Sequence, residues 1–161
     1  MTAKKKPAKK KPAKKKKRKI RTARDAAWMW FSRYIRLRDS LATTGTTTSC
    51  VCVTCGGTFP TSSSDRSVVA MQAGHAIDGR GRGILFDEEI VNGQCRNCNV
   101  MHNGRLPEYA VHMCRKHSID WYDERIQRAR GEQGRWTLQE LDEIRDHYKA
   151  LVEKINEEKG N

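Results

Sequence analysis

The chain has no long apolar run and no apolar segment of the kind that directs export. A membrane-spanning protein is thereby excluded, and the expected setting is the cytoplasm, where thiols stay reduced and disulfide scaffolds do not form. Apolar residues are also scarce: 37% of 161 residues are hydrophobic. That supports one modest domain with a thin core, for which a metal staple has a use. Acid is missing from the first 24 residues, which hold 14 of the 32 Lys and Arg; the other 18 bases meet all 19 acids, a net of −1. The formal charge of +13 therefore belongs to a tail. No helix-turn-helix pattern offers a base-reading helix, which counts against a transcription regulator.

What is present begins with that tail. Lys-Lys-Lys-Pro-Ala occurs twice in succession from Lys4, and such a run repels itself and has nothing to bury. Residues 1–23 are expected to be a disordered basic arm, and residues 24–161 a single domain. The arm's cations, Lys4, Lys5, Lys6, Lys9, Lys10, Lys11, Lys14, Lys15, Lys16, Lys17, Arg18 and Lys19, suit a DNA backbone. Each neutralised phosphate would add about 0.9 to the slope of log K against log salt. A solubility or localisation tail is the plainer alternative.

From Asp25 to about Leu41, the apolar residues Ala27, Trp30, Phe31, Tyr34, Leu37 and Leu41 follow helical spacing. They predict an amphipathic helix with a core-facing aromatic stripe, its arginines Arg33, Arg36 and Arg38 available to phosphates. Val68–Ala73 reads as a strand leading into Gly74-His75, and Ile84–Phe86 as a second strand after the Gly/Arg loop Asp78–Gly83. In that loop Arg80 and Arg82 are candidate phosphate contacts. Helices are expected over about 106–158, with Pro107 at a first position, Ser118 as a cap and Thr137-Leu-Gln-Glu140 as a capping box. Leu141, Ile144, Tyr148, Leu151 and Ile155 form a short seam. Packing on the first helix is the favoured use of it, a homodimer the other.

Six cysteines include two Cys-x2-Cys pairs, Cys52/Cys55 and Cys95/Cys98. Disulfides would allow fifteen pairings without favouring one, whereas two such pairs close a four-thiolate zinc site. Cys50 and Cys114 have no such partner and are expected to be buried as small apolar groups. Between and beside the pairs stand polar residues with chemical use. His75, whose type titrates near neutrality, suits a general base. Asn92 can bridge a hairpin and fix the imidazole. Asn99, expected in the first turn of a helix opened by the second pair, can offer a carbonyl oxygen to a hard ion such as Mg²⁺. His102 and Asn103 follow on the same expected face. Hydrolysis of a phosphodiester needs such a base, a cation and a rigid frame.

This arrangement resembles the HNH, or ββα-metal, endonucleases in their zinc-knuckle form. More closely, it resembles the lambda NinG or Rap recombination endonucleases of phages. The residues that carry the likeness are Trp30-Phe-Ser-Arg-Tyr-Ile-Arg-Leu-Arg-Asp39, Cys52-Val-Thr-Cys55, Gln72-Ala-Gly-His75, Leu85-Phe-Asp-Glu88, Asn92-Gly-Gln-Cys95, Cys98-Asn99 and Glu108-Tyr109. They span about residues 25–110. The resemblance implies an α+β fold: a small zinc-stapled β-hairpin-helix core, HNH or treble-clef-like, over about 50–104 and flanked by α-helices. It also implies a structure-selective DNase for Holliday junctions and D-loops, working in the bacterial host's cytoplasm, with other phage recombination proteins as further partners. Carried onto this chain, His75 is the base, Asn92 the orienting residue and Asn99 a ligand of catalytic Mg²⁺ or Mn²⁺. Cys52, Cys55, Cys95 and Cys98 hold structural Zn²⁺. In one respect the chain departs from the pattern. Gly74 stands where many HNH members carry Asp, Glu or His, leaving Asp78, His102, Asn103 or DNA phosphates to complete the ion's shell. The alternative reading is a non-catalytic zinc-knuckle DNA-binding accessory of recombination.

Overall fold

A computed structural model describes residues 19–65, 67–79, 81–131 and 134–160. Helix α1 (Ile20–Thr44) buries Ala23, Ala27, Phe31 and Ile35 along one stripe of four-residue spacing. It ends where Gly45 takes the left-handed conformation and returns its N–H to the Leu41 carbonyl. The helix begins five residues earlier than its apolar stripe predicts. Ala23 is the reason: it is wholly buried and packs with Ala27 and Leu141. Residues 20–23 therefore belong to the folded domain and not to the arm.

Strands β1 (Ser49–Val51) and β2 (Thr58–Pro60) pair antiparallel, and the turn between them is the first cysteine knuckle. Gly56, at φ 71°, lets the chain reverse there, with its N–H bonded to the Cys52 carbonyl. Strand β3 (Met71–His75) pairs antiparallel with β4 (Val91–Cys95), Met71 opposite Cys95 and His75 opposite Val91. The second strand is thus Val91–Cys95 and not Ile84–Phe86. The latter segment folds into successive tight turns, with Leu85 N–H on the Gly81 carbonyl and Asp87 N–H on that of Ile84. Its apolar character serves the core, where Ile84 and Leu85 are buried.

No third strand covers β4 among the described residues; helix α1 and the knuckle satisfy its outer edge instead. The Asp39 carboxylate accepts from Gly93 N–H at 2.5 Å, and Arg38 donates to the carbonyls of Val91 and Glu88 at 3.0 and 2.8 Å. Val53 N–H closes the row on the Gly93 carbonyl. These buried backbone groups need partners, and side chains supply what another strand would.

After Cys95 the chain makes one wide helical turn over Asn97–Met101, a tight turn over Asn103–Arg105, and then α2 (Leu106–Lys116) and α3 (Ile119–Gly131). The second cysteine pair thus straddles a strand end and a single turn; it does not open a long helix. Ser118 caps α3 by accepting from Trp121 N–H. Helix α4 (Leu138–Lys159) starts with the complete Thr137/Glu140 capping box. Its seam packs on α1, the Tyr148 ring meeting Phe31 edge-on at 4.9 Å. Phe31, Ile35, Ile90, Val91, Tyr109, Met113 and Tyr148 share the main core. The described residues are therefore mixed helix with two small antiparallel hairpins. No described helix is long and apolar enough to cross a membrane.

Candidate active site and metal centre

The knuckle turn and the end of β4 bring Cys52, Cys55, Cys95 and Cys98 together, their four sulfurs within 4.8 Å of one another. A tetrahedron with Zn–S bonds of about 2.3 Å has sulfur edges of about 3.8 Å, and the Cys55 to Cys95 separation is 4.0 Å. Donor type, count and spacing all fit zinc. The amides of Cys95 and Cys98 donate to the sulfurs of Cys52 and Cys95, an outer shell that favours thiolate. Burial alone would raise the Cys52 thiol, yet backbone donors at Cys95, Cys55 and Thr54 bring it down to about 7. Burial pushes the Cys95 and Cys98 thiols up, a penalty that a bound cation would reverse. Cys50 is buried beside this cluster and outside it, whereas Cys114 is only half-buried.

His75 ends β3 under the first turns of α1. Its ring stacks on Trp28, centroids 5.2 Å apart and planes 14° apart, and Nε2 lies 3.3 Å from the Leu85 carbonyl. A carbonyl can only accept, so Nε2 carries the hydrogen in the neutral ring and the basic lone pair is on Nδ1. Phenols hold the peptides on both sides: Tyr109 donates to the Gly74 carbonyl at 3.1 Å, and Tyr122 to that of Ala76 at 2.7 Å. Burial pushes the Tyr109 hydroxyl well above the ordinary phenol range, so it remains a donor.

Asn92 acts through this relay. It lies opposite Gly74 in the ladder, is buried, and donates to Tyr109 Oη at 3.0 Å. Asn92 thus fixes the peptide preceding His75 by way of Tyr109, and no direct bond from it to the imidazole is seen.

A cleft of about 970 Å³ runs beside β3. His75, Asp78, Asn99 and Asn103 all line it, together with Trp28, Gln72, Arg36 and Arg96. Asn99 donates to Gln72 Oε1 at 2.7 Å, and no described residue donates to its own carbonyl oxygen. His102 departs from the expected shared face. The backbone turns at Asn103, φ 49°, and His102 opens on a separate groove with Met101, Pro107 and Glu108. Gly74 could not have carried a ligand, because a Cβ there would fall on Gln94 Oε1 and lie 3.0 Å from Gln94 Cβ.

The basic residues divide. Lys4 to Arg18 and Arg80 lie outside the described residues, and Lys19 is exposed. Arg82, expected on a mobile phosphate-contacting loop, is held by a two-pronged pair with Glu140 and lies over the Trp136 ring. Arg38 is likewise committed inward, to Asp39 and Glu88. Sequence reasoning left Gln72, Trp28 and Tyr109 without roles at the site. Nothing local signals any of the three: strand period puts Gln72 on the face opposite His75, and Trp28 and Tyr109 lie on distant helices.

A family model described as Bacteriophage Lambda NinG protein matches residues 1–158. No curated protein and no solved structure matches the chain.

Proposed function

The chain belongs to the bacteriophage lambda NinG family, which points to a role in phage recombination, and from that premise we propose that it is a DNA endonuclease acting on branched intermediates. Holliday junctions and D-loops are the substrates, and metal-assisted phosphodiester hydrolysis the reaction. The observation that carries the reading is the shared cleft: a stacked, tautomer-fixed His75 faces the same space as the oxygen donors Asn99, Asn103 and Asp78. An HNH-like core, pinned by zinc at the four cysteines, is the frame.

His75 Nδ1 takes the proton of the attacking water, and the Leu85 carbonyl stabilises the imidazolium that results. Trp28 keeps the ring plane fixed, while Tyr109 and Tyr122 keep its backbone from shifting as charge develops. The donors near Asn99 are all oxygens, which suits Mg²⁺ or Mn²⁺ over a softer ion. Held there by Asn99 with Gln72, Asn103 or Asp78, such an ion would supply positive charge to the transferring phosphate.

One observation favours a second reading, a non-catalytic DNA-binding accessory: the position before His75 is sterically closed to a ligand. Cleavage of a labelled four-way junction and of linear duplex in Mg²⁺, then Mn²⁺, separates the two. Wild type should cut the junction in preference to the duplex. Folded, zinc-replete His75→Ala at matched DNA occupancy should be slower by about 10²-fold or more. Equal binding without cleavage by either protein would establish the accessory reading instead.

A further inference from the structure

Several arginines of the folded domain are neutralised where they stand. Arg38 pairs with Asp39 and Glu88, Arg82 with Glu140, Arg125 with Glu89, and Arg145 with Asp142 and Asp146. Arg36 is different. Among the described residues no carboxylate lies within ion-pair reach of it, and it is half-buried. Its Nε donates to the Ser32 carbonyl and its Nη1 to the Thr61 carbonyl, each at 3.2 Å. A guanidinium has five N–H donors, so three are left without a described partner.

The group is also fixed in place. Ser40 donates to the Arg36 carbonyl at 2.6 Å and shares a 2.6 Å hydrogen bond with Thr61, whose carbonyl holds Nη1. Burial, and the neighbouring charge of Arg33, disfavour its protonated form. A half-buried cation with spare donors and no counter-charge offers an arriving anion several charge-assisted hydrogen bonds. Asp65 and Asp78 also line the cleft, but both are exposed, and Asp65 is occupied by the amide and hydroxyl of Ser67.

Position identifies the anion. Trp28, Ser32 and Arg36 recur every four residues on the wall of the cleft that holds His75. Arg36 also lines a second groove of about 580 Å³ with Arg33, Thr48 and Ser62, so it stands where the two meet. Eight residues of α-helix separate Trp28, on His75, from Arg36 by about 12 Å. Successive phosphates of one strand stand about 6–7 Å apart through space, since the rise of about 3.4 Å is measured along the duplex axis, so that span is about two steps.

We propose that Arg36 binds a backbone phosphate of the DNA about two nucleotides from the phosphate at His75, guiding the strand from the cleft over α1 into the second groove. The inference rests on the DNA reading above but not on catalysis. Its test is binding of a labelled four-way junction across a NaCl series with Ca²⁺ in place of Mg²⁺, alongside cleavage in Mg²⁺. Arg36→Gln should weaken binding several-fold and reduce the slope of log K against log salt by about 0.9, while Arg36→Lys keeps the slope. An unchanged slope in Arg36→Gln overturns the proposal.

Should Arg36→Gln melt early or lose zinc, the wild-type chain and Arg36→Lys decide. Single neutral methylphosphonate linkages are then walked along the cut strand. One about two nucleotides from the cut should cost wild type the most affinity, and Arg36→Lys, which lacks the fork, less. No sensitive linkage at that distance overturns the proposal. A wild type that binds with the full slope and never cuts removes the nuclease reading and leaves the Arg36 slope to be judged by itself.

Discussion

Gly74 stands one residue before the proposed base, where a carboxylate would be chemically useful, and the reason for glycine there is space. A Cβ would land on Gln94, whose amide cannot swing away because Nε2 is held by Thr54 Oγ1 and the Gly104 carbonyl, both at 2.6 Å. Gln94 is wholly buried, and its Oε1 has no hydrogen-bond partner among the described residues. The room beside Gly74 has gone to a side chain that braces the knuckle against the turn after Asn103. Gly74→Asp should therefore lower stability by about 1–3 kcal/mol, as over-packing does, with no gain in affinity for Mn²⁺. Urea denaturation of Gly74→Asp, Gln94→Ala and the double variant checks the cause. The double variant should lose less than the sum of the singles; strict additivity would show that the clash is not what excludes a side chain.

At the scale of elements, helices were legible because period and caps are local: the α1 stripe, Ser118 before α3 and the Thr137/Glu140 box can be read within a few residues. The cysteine cluster was legible for the same reason, from two short spacings. Strand β4 was not. Val-Asn-Gly-Gln-Cys has poor strand composition, and it is a strand because Asp39 and Arg38, more than 50 residues away, complete its edge. The arrest of Arg82 was hidden too, since its partner Glu140 lies on α4. That contact ties the start of α4 to the site through a chain of rings: Arg82 over Trp136, Trp136 on Phe86, Phe86 near Trp28, and Trp28 on His75. The guanidinium of Arg82, with the amide and hydroxyl of Thr137, lowers the Glu140 carboxyl from an ordinary 4.5 to about 2. A carboxyl depressed on folding adds stability that is fully present above its unfolded value and is lost as pH falls through the folded one. The linked contribution should thus hold above about pH 4.5 and disappear toward about pH 2. Thermal melts of wild type and Glu140→Gln should differ most near neutrality and converge in acid; parallel curves would show that the carboxylate's charge does not secure α4.

The whole molecule rests on two unequal centres. The main core joins α1, α2 and α4 through Phe31, Ile35, Tyr109, Met113 and Tyr148, none of them near a thiol ligand. The second cluster consists of Cys50, Cys52, Met71, Cys95 and Cys98, with Phe59 and Val69 leaning on it. It offers little apolar area, so a metal held by the four thiolates would supply most of its cohesion. Stripping zinc should then act regionally. The β1–β2 hairpin and the end of β4 should lose amide protection, while the interface of α1 and α4 keeps most of its own. Hydrogen exchange read by peptide mass spectrometry, before and after chelation, makes the comparison directly. A thiol titration should show the four cluster cysteines becoming reactive as zinc is released, with Cys50 of β1 uncovered alongside them. The same experiment has consequences for the site, because Asn99 follows Cys98 immediately whereas His75 is fixed by Trp28 and the Leu85 carbonyl. The oxygen donors should loosen with the zinc while the stacked imidazole persists; on the nuclease reading proposed above, chelated protein would then bind DNA without cutting it. Uniform loss of protection from end to end would instead mean that the sulfur cluster holds both centres together, and that the helices cannot stand without it.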